Sequence, residues 1–184
     1  VTFNGGSGVD SVQIEDNSTT TGLAYGIGGT GYSRSASANS LSYTSIDGSI
    51  RFLANEQANT INVSGFLSGQ PLTVEGRGGN DTFNVGGGDL DANCLENMTL
   101  LGGAGDDLLV FDDTTDTGDD QYRFLGNTFE KAVVSSFTGD VATFGDIETV
   151  ELRANPGNNA INATAITGTG RLRLIGNDGA DKPK

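Results

Sequence analysis

Histidine and tryptophan are absent from this chain, cysteine and methionine occur once each, and proline three times. The missing histidine removes the commonest general base and the commonest transition-metal ligand. A single cysteine, Cys94, excludes an intrachain disulfide and leaves a small buried residue or an intermolecular bridge. Without tryptophan, and with only Tyr25, Tyr32, Tyr43 and Tyr122, sugar stacking has few platforms. Positive charge is scarce too: 10 Lys and Arg stand against 24 Asp and Glu, a net charge of −14. That is too little basic surface for a phosphate-binding track, so nucleic acid is excluded as a partner. No run approaches the roughly 20 apolar residues of a membrane span, so no membrane insertion is expected. No secretory leader is visible. The chain opens inside one glycine-rich unit and stops just after another, which reads as a piece of a longer protein.

What is present is glycine, 29 of 184 residues, about twice the usual share, with much Asn and Thr. The glycines gather in one recurring unit. It reads Gly5-Gly-Ser-Gly-Val-Asp10, then Gly76-Arg-Gly-Gly-Asn-Asp81, then Gly102-Gly-Ala-Gly-Asp-Asp107, with a degraded copy at Gly176-Asn-Asp-Gly-Ala-Asp181. Each of the first three leads into alternating apolar residues: Val12/Ile14, Phe83/Val85 and Leu109/Phe111. Glycine reaches the positive φ of tight turns, the Asp can cap the turn's own amides or bind a cation, and the alternation buries one strand face.

The units punctuate a longer repeat. Shifted by 100, Ala54–Asp81 matches Ala154–Asp181 at nine of 28 positions. Shifted by 97, Gly5–Asp16 matches Gly102–Asp113 at five of 12, and Tyr25 falls on Tyr122. Two modules are therefore expected, 1–85 and 102–184, joined through a linking stretch at 86–101. Short period-2 runs bounded by Gly, Ser, Asn and Asp predict strands. They are Val12–Ile14, Tyr25–Ile27, Leu41–Tyr43, Ile50–Phe52, Ile61–Val63, Leu72–Val74, Phe83–Val85 and Met98–Leu100. The second module offers Leu109–Phe111, Tyr122–Phe124, Ala132–Val134, Val141–Phe144 and Val150–Leu152. One helical turn is expected near Asp91–Asn97, capped by Asp89 or Asp91. Strands recurring at such short intervals fit an all-β, elongated parallel β-solenoid with hairpin-like inserts, each step burying its inner face by stacking. Asn59 with Asn62, and Asn159 with Asn162, occupy equivalent places and suit side-chain ladders. The Asn17, Asn62, Asn97 and Asn162 triplets also satisfy the N-glycosylation pattern.

The glycine units resemble the hemolysin-type (RTX) calcium repeat, Gly-Gly-x-Gly-x-Asp followed by an apolar residue. The resemblance implies a parallel β-roll with Ca2+ between successive turns, held by Asp carboxylates and turn carbonyls, a donor set that suits a hard cation. Carried over by position, the carboxylates are Asp10, Asp81 and Asp107. Asp181 matches in part, because Asp178 interrupts its glycines and Lys182-Pro183 replaces the strand. The family's units adjoin in tandem, whereas Asp81 and Asp107 here are 26 residues apart. The longer two-part module is similar to repeats of very large bacterial surface and secreted proteins.

Beyond the matched units, Asp106 adjoins Asp107, and Asp112, Asp113 and Asp116 belong to an acidic run ending at Asp120. Carboxylates so crowded repel one another and favour a bound cation. Acid–base catalysis needs a carboxyl with its pKa raised by burial, and Asp106-Asp107 and Asp112-Asp113 are expected in polar loops, the wrong setting. No nucleophile has a base beside it, so no enzyme is expected. The expected function is structural: a calcium-stabilised repeat module of a secreted or cell-surface protein, such as an adhesin, surface-layer or filament component, associating with itself or neighbouring repeats end to end or laterally. The competing reading is a β-helix protein that binds, cleaves or epimerises polysaccharide, with surface carbohydrate as its partner.

Overall fold

The computed structural model describes residues 1–17, 20–35, 40–65, 70–94, 97–132 and 142–183. The first module supplies β1 (Thr2–Asn4), β2 (Val12–Glu15), β3 (Ala24–Gly28), β4 (Gly31–Arg34), β5 (Leu41–Thr44), β6 (Ile50–Leu53), β7 (Thr60–Val63), β8 (Leu72–Gly78) and β9 (Thr82–Val85). A single helical turn, α1 (Leu90–Asn93), follows. The second module supplies β10 (Met98–Ala104), β11 (Leu108–Asp112), β12 (Gln121–Leu125), β13 (Thr128–Ala132), β14 (Ala142–Gly145), β15 (Thr149–Arg153), β16 (Ala160–Thr164), β17 (Arg171–Ile175) and β18 (Lys182–Pro183). The linking stretch expected at 86–101 thus holds α1 and the start of β10. Of the expected strand Ala132–Val134, the last two residues lie outside the described residues, as do Val141 and part of the Asn17 triplet.

The protein is all-β, in two nine-stranded sheets. The sheets are mixed. Pairs are parallel along both, except where β3-β4-β5 and β12-β13-β14 fold back as antiparallel inserts. Successive strands otherwise alternate between the sheets, so neighbours in sequence face each other and neighbours in a sheet are two steps apart. The register stacks apolar residues in rows. Ile61, Phe83, Leu109 and Val150 line up in one sheet, and Phe52, Val74, Leu100 and Phe144 in the other. All eight are completely buried, in one core. Burying a side chain of this kind contributes roughly 1.5–3 kcal/mol, which is why the short period-2 runs become strands.

The duplication has a geometric consequence. The first sheet runs β1-β5-β4-β3-β7-β9-β11-β15-β17 and the second β2-β6-β8-β10-β14-β13-β12-β16-β18. Adding nine to the labels of the first six strands of one sheet yields the last six of the other, in order. Each module makes seven visits to the sheets, counting its insert once, and an odd number exchanges them. The second copy therefore repeats the first on the opposite sheet.

Candidate functional site

The glycine units place their aspartates inside. Asp81 and Asp107 are each 1 % exposed. The first glycine of the unit, at Gly5, Gly76, Gly102 and Gly176, provides room: a methyl there would overlap Oδ2 of Asp10, Asp81, Asp107 and Asp181 respectively. Positive φ falls on other positions. One is held by Gly6, Arg77, Gly103 and Asn177, the other by Gly8, Gly79, Gly105 and Gly179. Arg77 keeps this conformation while pairing with Glu15 and Asn17.

Each buried carboxylate caps a backbone N–H far back in sequence rather than its own turn. Leu23 N–H donates to Asn59 Oδ1 (3.0 Å), Asn59 N–H to Asp81 Oδ1 (2.8 Å), Asp81 N–H to Asp107 Oδ1 (2.7 Å) and Asp107 N–H to Glu148 Oε2 (2.7 Å). The same staircase recurs where Asp120 N–H donates to Asn159 Oδ1 (3.0 Å) and Asn159 N–H to Asp181 Oδ1 (2.9 Å). Asp10 N–H to Asp47 Oδ1 (2.9 Å) repeats the Asp107–Glu148 rung. Asn59 and Asn159 are thus caps. Side-chain stacking occurs instead between Asn84 Nδ2 and Asn62 Oδ1 (3.0 Å).

The second oxygen of Asp10, Asp81 and Asp107 is buried with no hydrogen-bond partner among the described residues. A methyl on the unit's first glycine would meet both this oxygen and a carbonyl, that of Ser45, Gly102 or Asp146. Burial pushes the Asp81 carboxyl up to about 7 and the Asp107 carboxyl upward. Calcium takes six to eight oxygens at about 2.3–2.6 Å. Here one oxygen is engaged by an N–H and the other is closed over by glycine. In this arrangement Asp81 and Asp107 serve the backbone.

The acidic run builds a different centre. Lys131, on β13, is 2 % exposed at its side chain. Its Nζ lies 2.9 Å from Asp91, 2.8 Å from Asp113, 2.8 Å from Asp116 and 3.2 Å from Asp120. Asp91, Asp116 and Asp120 bring carboxylate oxygens within 4.8 Å of one another, a spacing that could hold a metal ion. The ammonium already stands among those oxygens. Tyr122 donates its hydroxyl to Asp113 (2.7 Å), Leu90 N–H donates to the same carboxylate (2.8 Å), and Asn155 Nδ2 donates to Asp120 (2.6 Å). α1, with its N-cap Asp89 accepting from Ala92 N–H, carries Asp91 over the rim. Burial disfavours the Lys131 charge, but its carboxylate neighbours outweigh it and raise the pKa. Burial raises Asp113 and takes Asp120 to about 7. At Asp116 the Lys131 contact overcomes burial and lowers it.

The first module has the same centre in reduced form. Arg34 Nη1 lies 2.7 Å from Asp16, and the Tyr25 hydroxyl donates to that carboxylate (3.1 Å). Tyr25 and Arg34 pair across β3 and β4 as Tyr122 and Lys131 pair across β12 and β13. Leu23 stands where the second copy has Asp120. The sequence signal for Lys131 and Tyr122 was present: both sit 97 residues after Arg34 and Tyr25.

The remaining candidates separate. Asp112 accepts from the Thr114 hydroxyl (2.7 Å). Asp106 is exposed and lines an open groove of about 660 Å³ with Glu148, Thr149, Arg171 and Arg173. Arg173 also pairs with Glu151. Among the described residues no aromatic side chain lines that groove, and Tyr25, Tyr43 and Tyr122 are at most 1 % exposed. Asp107 and Asp113 correct the expectation of polar loops: both are buried, because each caps a neighbouring step from inside. Cys94 is buried, and burial pushes its thiol up to about 12. Neither a scan against protein-family models nor a search of curated proteins found a match.

Proposed function

We propose that the chain is a structural repeat module of a secreted or cell-surface protein, its strands wound as an elongated parallel β-solenoid with hairpin inserts. The observation that supports this reading is the sheet exchange between copies, in which the second module continues the strand order of the first. The duplicated polar groups support it as well. In both copies the Tyr–Asp–cation centre and the Asn and Asp caps are engaged in bonds within the protein, the use expected of a scaffold.

Calcium belongs in this reading at the Lys131 centre. Four carboxylates face one ammonium there, and hard oxygen donors suit calcium. Lys131 and the metal would compete for the same charge. Ligand bound only by the folded state at ten times its Kd adds about 1.4 kcal/mol.

Thermal unfolding of wild type and Lys131→Met in chelator and in millimolar calcium tests the reading. Removing the ammonium leaves buried carboxylates uncompensated and costs about 3–5 kcal/mol in chelator. Calcium is expected to restore much of that loss and to raise the wild-type Tm by a few degrees. A variant as unstable with calcium as without it sinks the calcium assignment. Solution scattering from a compact particle rather than a rod sinks the solenoid.

A further inference from the structure

We infer that the two ends of the sheets dock on each other between copies of this chain, β17 beside β1 and β18 beside β2 of the next molecule. The inference rests on the structural-module reading above and adds the partner and the register. Within the chain, the joint between modules is already of this kind. β8 pairs with β10 and β9 with β11, setting Leu72 against Met98, Val74 against Leu100 and Arg77 against Gly103. The repeat offsets of 100 and 97 carry these residues to the ends. Leu172, Leu174 and Asn177 repeat one side of the joint, and Val1, Phe3 and Gly6 repeat the other.

The strands at the two sheet edges are more exposed than their counterparts at the inner joint. Val74 and Leu100 are fully buried, whereas their counterparts Leu174 and Phe3 are each 42 % exposed, and Val1 is 89 % exposed. Gly103 lies hard against the Arg77 carbonyl, while its counterpart Gly6 has open space in front of it. At the inner joint Asp107 takes the Asp81 N–H on its Oδ1, and Asp10 and Asp181 are the counterparts of these two residues. Docking would offer Asp10 the N–H of Asp181 and continue the staircase from one molecule into the next.

Charge fits the same pairing. Four of the ten cationic residues lie within the last 14 positions, including Arg171, Arg173 and Lys182, against two acids, Asp178 and Asp181, so the side chains there sum to +2. The opposite end presents Asp10 and Asp47, in a molecule of net charge −14. Side-to-side contact sets acid against acid, and end-to-end contact sets base against acid. Two modules per chain restore the sheets to their starting order, so each sheet meets its own continuation. Such a head-to-tail contact does not close, and repetition makes an open filament.

Two variants with one added cysteine each, Phe3→Cys and Leu174→Cys, test the register when mixed under mild oxidation. Directly opposed parallel residues stand about 4.8 Å apart, within disulfide range, and buried Cys94 gives little background. The expected product is the mixed Phe3→Cys/Leu174→Cys dimer, far beyond the twofold excess over either homodimer that random pairing of equal amounts gives. The random 1:2:1 distribution of the three dimers overturns the register. A chain that forms no cross-link and sediments as a monomer at the same concentration overturns the docking, and leaves these edges to a neighbouring repeat of a longer polypeptide. Leu174→Lys is expected to weaken association roughly tenfold or more. Leu125→Lys, at an exposed apolar position on the second insert, leaves association unchanged, and circular dichroism checks that both variants fold. Cross-linking without a calcium effect on Tm separates this inference from the calcium assignment, and a rod without cross-linking separates it from the solenoid.

Discussion

Gly76 and Asp81 divide one task between them. The glycine leaves out a side chain so that the carboxylate can reach across and accept the Asn59 N–H. Gly76→Ala should therefore destabilise the protein by overpacking, by about 1–3 kcal/mol, read from the denaturant midpoint. A midpoint equal to wild type removes the steric argument. Asp81 itself makes a pH-dependent contribution. Its folded pKa of about 7 lies above the unfolded value of about 3.9. The folded state then holds a proton that the unfolded state has lost, so stability falls as pH rises from about 4 to about 7. Asp81→Asn retains an acceptor for Asn59 and does not titrate. The variant should gain on wild type at pH 8, with a smaller Tm difference between pH 5 and pH 8. An unchanged difference counts against burial as the cause of the shift.

At the scale of elements, the two inserts are the same hairpin with different interiors. Phe129, on β13, is fully buried and stacks on Phe111 with centroids 4.0 Å apart. Its counterpart Tyr32, on β4, is half-buried, with its ring centroid 5.5 Å from that of Phe52. Phe129→Ala should cost about 3–5 kcal/mol and Tyr32→Ala distinctly less. Equal losses would show that the inserts do not pack as described. Most strands were legible, because alternation over three or four residues is enough when both sheets bury one face. β1 and β4 were not. β1 has little burial of its own, and β4 reads as a glycine-rich turn until β3 and β5 flank it. α1 was expected and is shorter, four residues long.

Across the whole molecule, odd-numbered alternation sets the architecture. A module with an even number of visits would stack its copy on the same sheet and place the inserts on one face. With an odd number, the inserts fall on opposite sheets, and the Arg34 and Lys131 centres go with them. The excess of acid is tolerated because much of it faces inward to backbone N–H groups or to Lys131. Lowering the pH from 8 to 5 should therefore raise the Tm. Asp81, Asp107, Asp113 and Asp120 all have raised pKa values, and net repulsion falls as well. A Tm that rises with pH over this range would refute it.

The sequence by itself determined the duplication, the strand class and the glycine punctuation, because these are written in local spacing and in the alternation that buries one face. Tertiary structure decided the roles of the aspartates. Asp81 and Asp113 look alike as acidic turn residues and both cap a distant N–H, yet only Asp113 also holds a buried lysine. The difference depends on which step each side chain meets across the stack, and contacts made at such separations leave no local pattern. Only the paired offset of Arg34 and Lys131 carried that information in one dimension.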